Sequence, residues 1–310
     1  MTNILTIWLR AFRLHYVPTS ILSAVLGAVM AWSQYHIFKP FEFFLVLIAV
    51  SMNHVGLNMI DDVYDYRNAV DQKTKGVKNP YTGGSGVLTE GLLTLQRMLT
   101  GAYLCFAITS LIGIYLTYRC GWGIFFIGIF GLASSLFYTK PPIKFGYRGF
   151  GELGLFINFG PVLVMGSYYA QIPVFHFNPF LISFIPGALM WSMIIINEIP
   201  DYDEDHGGGK WTLVVRYGQK NGVGLYAAGL SVAYILIIIA VIFNLASAYS
   251  LLALITVPMA LWSLKIARLN YSHPQRLIAA NRTMLYIHAI TLIMMIASYI
   301  PEIMTHTKMS

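Results

Sequence analysis

Charge is scarce in this chain. Only 11% of its 310 residues are Asp, Glu, Lys or Arg, against about 25% in an ordinary soluble domain. That scarcity excludes a molecule wetted on every side. Cysteine is scarcer still, with only Cys105 and Cys120. One lies inside an apolar run and the other near the end of one, so they suit neither a disulfide framework nor a metal-binding spacing. No cleavable leader is expected. Trp8, Arg10 and Arg13 give the first residues the look of an amphipathic segment lying in a membrane interface.

Apolar runs fill what charge leaves empty. The mean hydropathy is +0.64. A membrane span needs about 20 predominantly apolar residues. Nine runs approach that length, near 18–36, 41–60, 98–117, 121–138, 153–172, 179–199, 222–243, 247–267 and 283–300. They leave no room for a soluble unit, so the expectation is all-α: a single membrane domain over residues 1–310, a bundle of about nine transmembrane helices. With the N-terminus inside, seventeen of the twenty lysines and arginines fall on the inner side. Only Lys39, Arg119 and Lys308 fall outside. Basic residues concentrate on the cytoplasmic side of membrane proteins. The net charge of +7 is therefore read as topology, with the lipid bilayer as the partner and no nucleic acid. The expected location is a bacterial inner membrane, with the N-terminus in the cytoplasm.

Two acidic clusters close the second and sixth runs on that inner side. The first carries Asn58, Asp61, Asp62 and Asp65; the second carries Asn197, Asp201 and Asp205. Positions i, i+4 and i+7 or i+8 share one helix face. Each cluster thus aims an amide and two carboxylates in one direction. Asp61 also stands four residues from Asp65, but about 100° separates it from Asp62 on a helix. The spacing from Asn58, matched by Asn197 and Asp201, favours Asp62. Asp deep in a membrane helix costs about 2.5–3.5 kcal/mol on insertion scales, and such groups mark wet sites with a partner. Two facing carboxylate sets repel, and a divalent cation relieves that. Hard oxygen ligands suit Mg²⁺, which keeps waters and takes one or two carboxylates plus phosphates. The loops that follow, 66–97 and 203–221, are long and polar. They bring Lys73, a Gly83-Gly84-Ser85-Gly86 turn, a Gly207-Gly208-Gly209 run and Lys210. Cations beside paired carboxylates suit a diphosphate. These loops are expected to cap the head group.

At these residues the chain resembles the UbiA superfamily of membrane prenyltransferases over nearly its whole length. Asn58, Asp62, Asp65 and Asp71 match the superfamily's first motif. Asn197, Asp201 and Asp205, with Gly209-Lys210-x-Thr212 and the residues through Gly218, match its second motif and tail. Tyr138-Thr139, Pro141-Pro142 and Tyr147 to Glu152 are similar to the loop between the fourth and fifth helices of 1,4-dihydroxy-2-naphthoate prenyltransferases of menaquinone synthesis. Two residues depart from that pattern. Pro200 stands where an arginine is usual, and Glu198 where a second asparagine is common.

The resemblance implies transfer of a prenyl group from a long isoprenoid diphosphate to an aromatic acceptor, with prenyl replacing the acceptor's carboxylate. Mg²⁺ would be held by Asp62, Asp65, Asp201 and Asp205, with Asn58 and Asn197 beside them. Lys210, Arg148 and Lys73 would serve the phosphates, unless they are solvated loop charges. Tyr138, Tyr147 and Tyr64 would face the allylic cation, unless they only pack. His54 and Asn53, one turn before Asn58, are either supporting groups or core polar residues. Hydroxybenzoate, homogentisate, porphyrin-type and glycerol phosphate ether acceptors stay open. Outside enzymes, the same residues would suit a cation or lipid head-group transporter.

Overall fold

The computed structural model describes residues 3–70 and 79–307. Among them every regular element is helical. Asn3 accepts from the Leu5 amide at 3.1 Å and starts α1 (Ile4–Phe12), which buries Ile7 and Ala11. Arg13 ends α1 in the left-handed conformation. Then come α2 (Val17–Tyr35), α3 (Pro40–Arg67), α4 (Leu95–Cys120) and α5 (Trp122–Phe137). α6 (Gly151–Ile157) runs through a π turn at Asn158–Val162 into α7 (Leu163–Gln171). α8 (Phe177–Ile182) leads into α9 (Phe184–Gly207), and α10 (Leu213–Tyr217) into α11 (Gln219–Ile242). The chain closes with α12 (Val257–Asn270), α13 (Ile278–Ala297) and α14 (Ile300–Thr307).

Among the described residues, eight helical stretches are long and apolar enough to cross a membrane. The chain is an integral membrane protein. The run expected at 121–138 is the shorter α5, whose 16 residues span about 24 Å at 1.5 Å per residue. Gly121, with φ of 96°, cuts it off from α4. Pro141 and Pro142 follow closely behind. α3 is the opposite case. Its 28 residues extend about 42 Å, past a hydrocarbon core of about 30 Å, so its acidic last turns reach the polar zone. Outward-facing Leu111, Ile114, Phe126, Ile242 and Ile255 are all at least half exposed. Lipid tails are as apolar as these side chains, so the outer face carries no penalty.

Two large cores, and a small third one around Val46, Leu116 and Ala170, organise the bundle. α1, α3 and α4 share one with Val87, Leu88 and Leu93 from the connecting segment. α9, α11, α12 and α13 form the other, together with α2 and α7. α2 lies so close to α7 that a Cβ on Gly27 would overlap the Val164 carbonyl. Small residues permit this approach between membrane helices. The polar ends of α3 and α9 border a common cavity.

Candidate active site

The last turns of α3 and α9 present their acidic faces to a shared polar cavity of about 80 Å³, lined by Asp61, Asp65, Asp201 and Asp205 with Lys210 and Tyr138. Each carboxylate is held differently. Asp65 accepts from Tyr147 Oη at 2.5 Å and from Lys210 Nζ at 2.9 Å. Asp62 accepts the Ser85 amide at 2.9 Å, with Arg13 Nη1 at 3.8 Å. Asp201 accepts the Gly83 amide at 2.9 Å. Gly83 and Gly84 have φ of 57° and 56°, a region glycine enters without steric cost. Their turn lets the Gly83 and Ser85 N–H groups reach carboxylates on two different helices. Asn79 shapes the turn by accepting from the Tyr81 amide at 3.0 Å.

Burial by itself would lower the pKa of Lys210, but Asp65, Asp61 and Asp205 more than offset it and raise it well above an ordinary lysine. Lys210 is a fixed cation among carboxylates. Its Nζ also stands 5.6 Å from the centre of the Tyr147 ring. Burial, then the Asp65 charge, raises the Tyr147 hydroxyl, so it remains a donor. The Lys210 segment is pinned from below. The Trp211 amide donates to Tyr147 O at 3.1 Å, and the Leu213 amide to Glu152 Oε1 at 2.5 Å.

The second motif is braced by α13. Asn197 Nδ2 donates to Tyr16 Oη at 3.1 Å, and its Oδ1 accepts from Asn281 Nδ2 at 2.9 Å. Asn281 Nδ2 also donates to Ile196 O at 2.8 Å. Proline has no N–H, so Pro200 deprives Ile196 O of its helical partner. Asn281 supplies a substitute. The departure at 200 thus has a structural counterpart 81 positions on.

A second cavity, of about 100 Å³, adjoins the acidic one and shares Arg13, Asp61, Tyr138, Ile194 and Asn197 with it. It is lined further by Asn58, His54, Leu155, Phe159, Met190 and Met193. A narrower space around Asn53, Ser135 and Asn158 follows. It leads to an apolar groove of about 390 Å³ among α3, α4, α5 and α7. Polar head, mixed middle and greasy end therefore lie in one series.

Several expected residues meet here, namely Asp65, Asp201, Asp205, Lys210, Tyr138 and Tyr147 by the acidic cavity, with Asn58 and Asn197 by the mixed one. Others are placed differently. Asp61 lines the cavity, whereas Asp62 turns toward Ser85 and Arg13. At about 100° per residue, Asp65 stands about 40° from Asp61 and about 60° from Asp62. The cavity lies on the Asp61 side of Asp65, and Asp201 and Asp205 of α9 line its other wall. Arg148 is exposed, and its Nη2 donates to Pro142 O at 3.1 Å, outside the cavity lining. Arg216 takes the Arg148 carbonyl at 2.8 Å and holds that loop outward. Tyr64 packs under the Arg67 guanidinium, 5.4 Å from its ring centre. Lys73 and Asp71 lie outside the described residues. Sequence reasoning missed Arg13, Tyr16, Glu152 and Asn281 as site residues. Asn281, a polar residue opening the last apolar run, was the legible hint.

The residues present fit a magnesium–diphosphate group. Asp61 Oδ1, in the cavity lining, is buried without a hydrogen-bond partner, and such an oxygen is costly unless something charged completes it. Among the described residues, no three His, Cys, Asp or Glu side chains form a ready metal cluster.

A sequence model described as the UbiA prenyltransferase family matches residues 20–297. The chain belongs to that family. Among its relatives, the 1,4-dihydroxy-2-naphthoate octaprenyltransferase of Bacillus subtilis is 28% identical over 254 residues, covering 82% of this chain and 79% of that protein. The UbiA homolog from Aeropyrum pernix superposes with a TM-score of 0.67 at 20% identity, over 91% of this chain and 97% of that one. The UbiA homolog from Archaeoglobus fulgidus bound to GPP and Mg²⁺ superposes at 0.61 and 14% identity, over 93% and 99%. The family's fold therefore extends across the bundle and both acidic helices.

Proposed function

We propose that this chain transfers a polyprenyl group from an isoprenoid diphosphate to 1,4-dihydroxy-2-naphthoate, with prenyl replacing the carboxylate and CO₂ leaving. The observation that carries this reading is the series of cavities, with a carboxylate-lined head site opening past Tyr138 into an apolar groove. A diphosphate with a long hydrocarbon tail needs both ends. The naphthoate acceptor is supported by the name of the Bacillus subtilis relative. The magnesium–diphosphate pairing is supported by what the Archaeoglobus fulgidus homolog holds.

In this reading Asp61, Asp65, Asp201 and Asp205 face Mg²⁺ and the diphosphate, and Asp62 holds the Ser85 turn and Arg13 beside them. Asn58 and Asn197 orient them. Bound there, Mg²⁺ supplies positive charge to the oxygen that leaves. Lys210 takes a phosphate oxygen in exchange for Asp65, and Tyr147 keeps Asp65 in place. Tyr138, buried between all three inner spaces, offers its ring face to the developing cation. Such contacts are worth about 0.5–2 kcal/mol. The segments around Gly83 and Lys210 cap the head group and exclude water. α5 completes a ninth pass, with the N-terminus and head site on the cytoplasmic side of a bacterial inner membrane. The tail enters from the bilayer, since each CH₂ held in water costs about 0.8 kcal/mol.

The test is product analysis. Purified protein with Mg²⁺, a C20-to-C40 series of prenyl diphosphates and a panel of aromatic acceptors should release diphosphate and form the decarboxylated, prenylated naphthoquinol. Absence of diphosphate release with every donor would overturn the reading. Movement of an unchanged substrate across vesicles would point to transport instead.

A further inference from the structure

His54 and Ser20 form a buried pair that the donor chemistry does not use. Ser20 Oγ and His54 Nδ1 are 2.6 Å apart, joining α2 to α3. His54 is 6% exposed and Ser20 2% exposed. The imidazole packs edge-on against Phe159, with ring centres 5.2 Å apart and planes at 85°. The ring is thus fixed by one hydrogen bond and one aromatic wall. Its other nitrogen, Nε2, has no hydrogen-bond partner among the described residues. His54 lines the mixed cavity that adjoins the carboxylates and the narrower space beyond it.

That cavity has the chemistry of a hydroxylated aromatic acid. Leu57, Leu155, Phe159, Met190 and Met193 supply apolar walls, and Arg13 supplies the cation. Asn58, Asn197, Tyr16 and Tyr138 add polar groups, and Asp61 marks the border with the head site. An aromatic ring seated there would have its reacting carbon toward the head site. A ring hydroxyl would then meet His54, the one imidazole in that lining.

We propose that His54 is the base that takes the proton of the acceptor's ring hydroxyl, with Ser20 as its positioning residue. This rests on the prenyl-transfer reading above. The acceptor O–H bond breaks, the proton goes to Nε2, and the bonding pair stays on oxygen. That pair feeds the ring, whose carbon bonds to the allylic carbon. The allylic C–O bond breaks with its pair on the diphosphate. Loss of CO₂ returns a pair to the ring and restores the oxyanion, which regains the proton from Nε2. A serine hydroxyl both gives and accepts hydrogen bonds. Ser20 can therefore hold the ring neutral or as imidazolium, accepting from Nδ1–H in each state that matters.

The test compares acceptors of graded hydroxyl acidity, made by ring fluorination of 1,4-dihydroxy-2-naphthoate. General base catalysis is worth about 10²–10⁴-fold. His54→Gln should lose turnover by that order with the parent acceptor and leave the KM for prenyl diphosphate unchanged. The loss should shrink by at least about tenfold with the most acidic acceptor, which needs less help from a base. Ser20→Ala should show the same dependence with a smaller loss. A uniform loss across acceptors, or none, would overturn the role. If His54→Gln also loses magnesium-dependent binding of geranyl diphosphate, Ser20→Ala decides by the same slope. No turnover by the unmodified protein with any acceptor would sink the functional reading itself, and this role with it. Turnover with a flat slope sinks only the role.

Discussion

Replacing Asn281 with alanine should cost more stability in the natural chain than in a chain that also carries Pro200→Ala. Pro200 offers no N–H, so Ile196 O depends on Asn281 Nδ2 at 2.8 Å. Asn281 is 1% exposed, so water does not take over. Leaving a buried carbonyl without a donor costs about 1–3 kcal/mol. Asn281→Ala also breaks the contacts to Asn197 Oδ1 at 2.9 Å and from Asn79 Nδ2 at 3.0 Å. Pro200→Ala puts an N–H at position 200 and restores a donor to Ile196 O alone. The double-mutant cycle should therefore show a coupling of about 1–2 kcal/mol, smaller than the whole cost of Asn281→Ala. Thermal unfolding of the four proteins in one detergent measures it. Turnover supplies a separate check. Asn197 Oδ1 still lacks its Asn281 donor in the double mutant, so stability should return in part while turnover does not. Equal costs in both backgrounds, within about 0.5 kcal/mol, would refute the idea that Asn281 replaces the missing helical bond.

Three further outcomes follow from the site and its packing. Lys210→Met leaves the buried Asp65 carboxylate without its cation, which costs about 3–5 kcal/mol, so the melting midpoint in EDTA should fall. Mg²⁺ at about 100 times its dissociation constant should recover about 2.7 kcal/mol, and an unchanged midpoint in EDTA would contradict the pairing. Asp62→Ala and Asp201→Ala should each abolish turnover while the protein still folds, because removing one carboxylate relieves repulsion. Each also frees a loop amide, Ser85 or Gly83, so proteolysis near residues 79–86 should quicken, and unchanged cleavage would count against the clasp. Gly27→Val should destabilise by about 1–3 kcal/mol through overpacking, since its Cβ would overlap the Val164 carbonyl. A neutral effect on thermal unfolding would mean that α2 and α7 are not pressed together there.

The sequence by itself determined the helical bundle, the approximate spans and the two acidic helix ends. Backbone groups in lipid must be satisfied within each segment, so a span is written in its own apolar run. The Asn58-to-Asp65 and Asn197-to-Asp205 spacings are equally local, as one helix turn relates their members. Asp61 lines the cavity while Asp62 is taken by the Ser85 amide and Arg13, partners 23 and 49 positions away in the chain. The bracing of Asn197 by Asn281, and of the Lys210 segment by Glu152, joins residues 84 and 61 positions apart. Arg148 donates to Pro142 O outside the cavity lining, while its own carbonyl is taken by Arg216, 68 positions away. Periodicity records how a helix faces apolar surroundings, and it carries no information about which distant polar atom completes a hydrogen bond. Those pairings exist only once the helices have packed and closed water out.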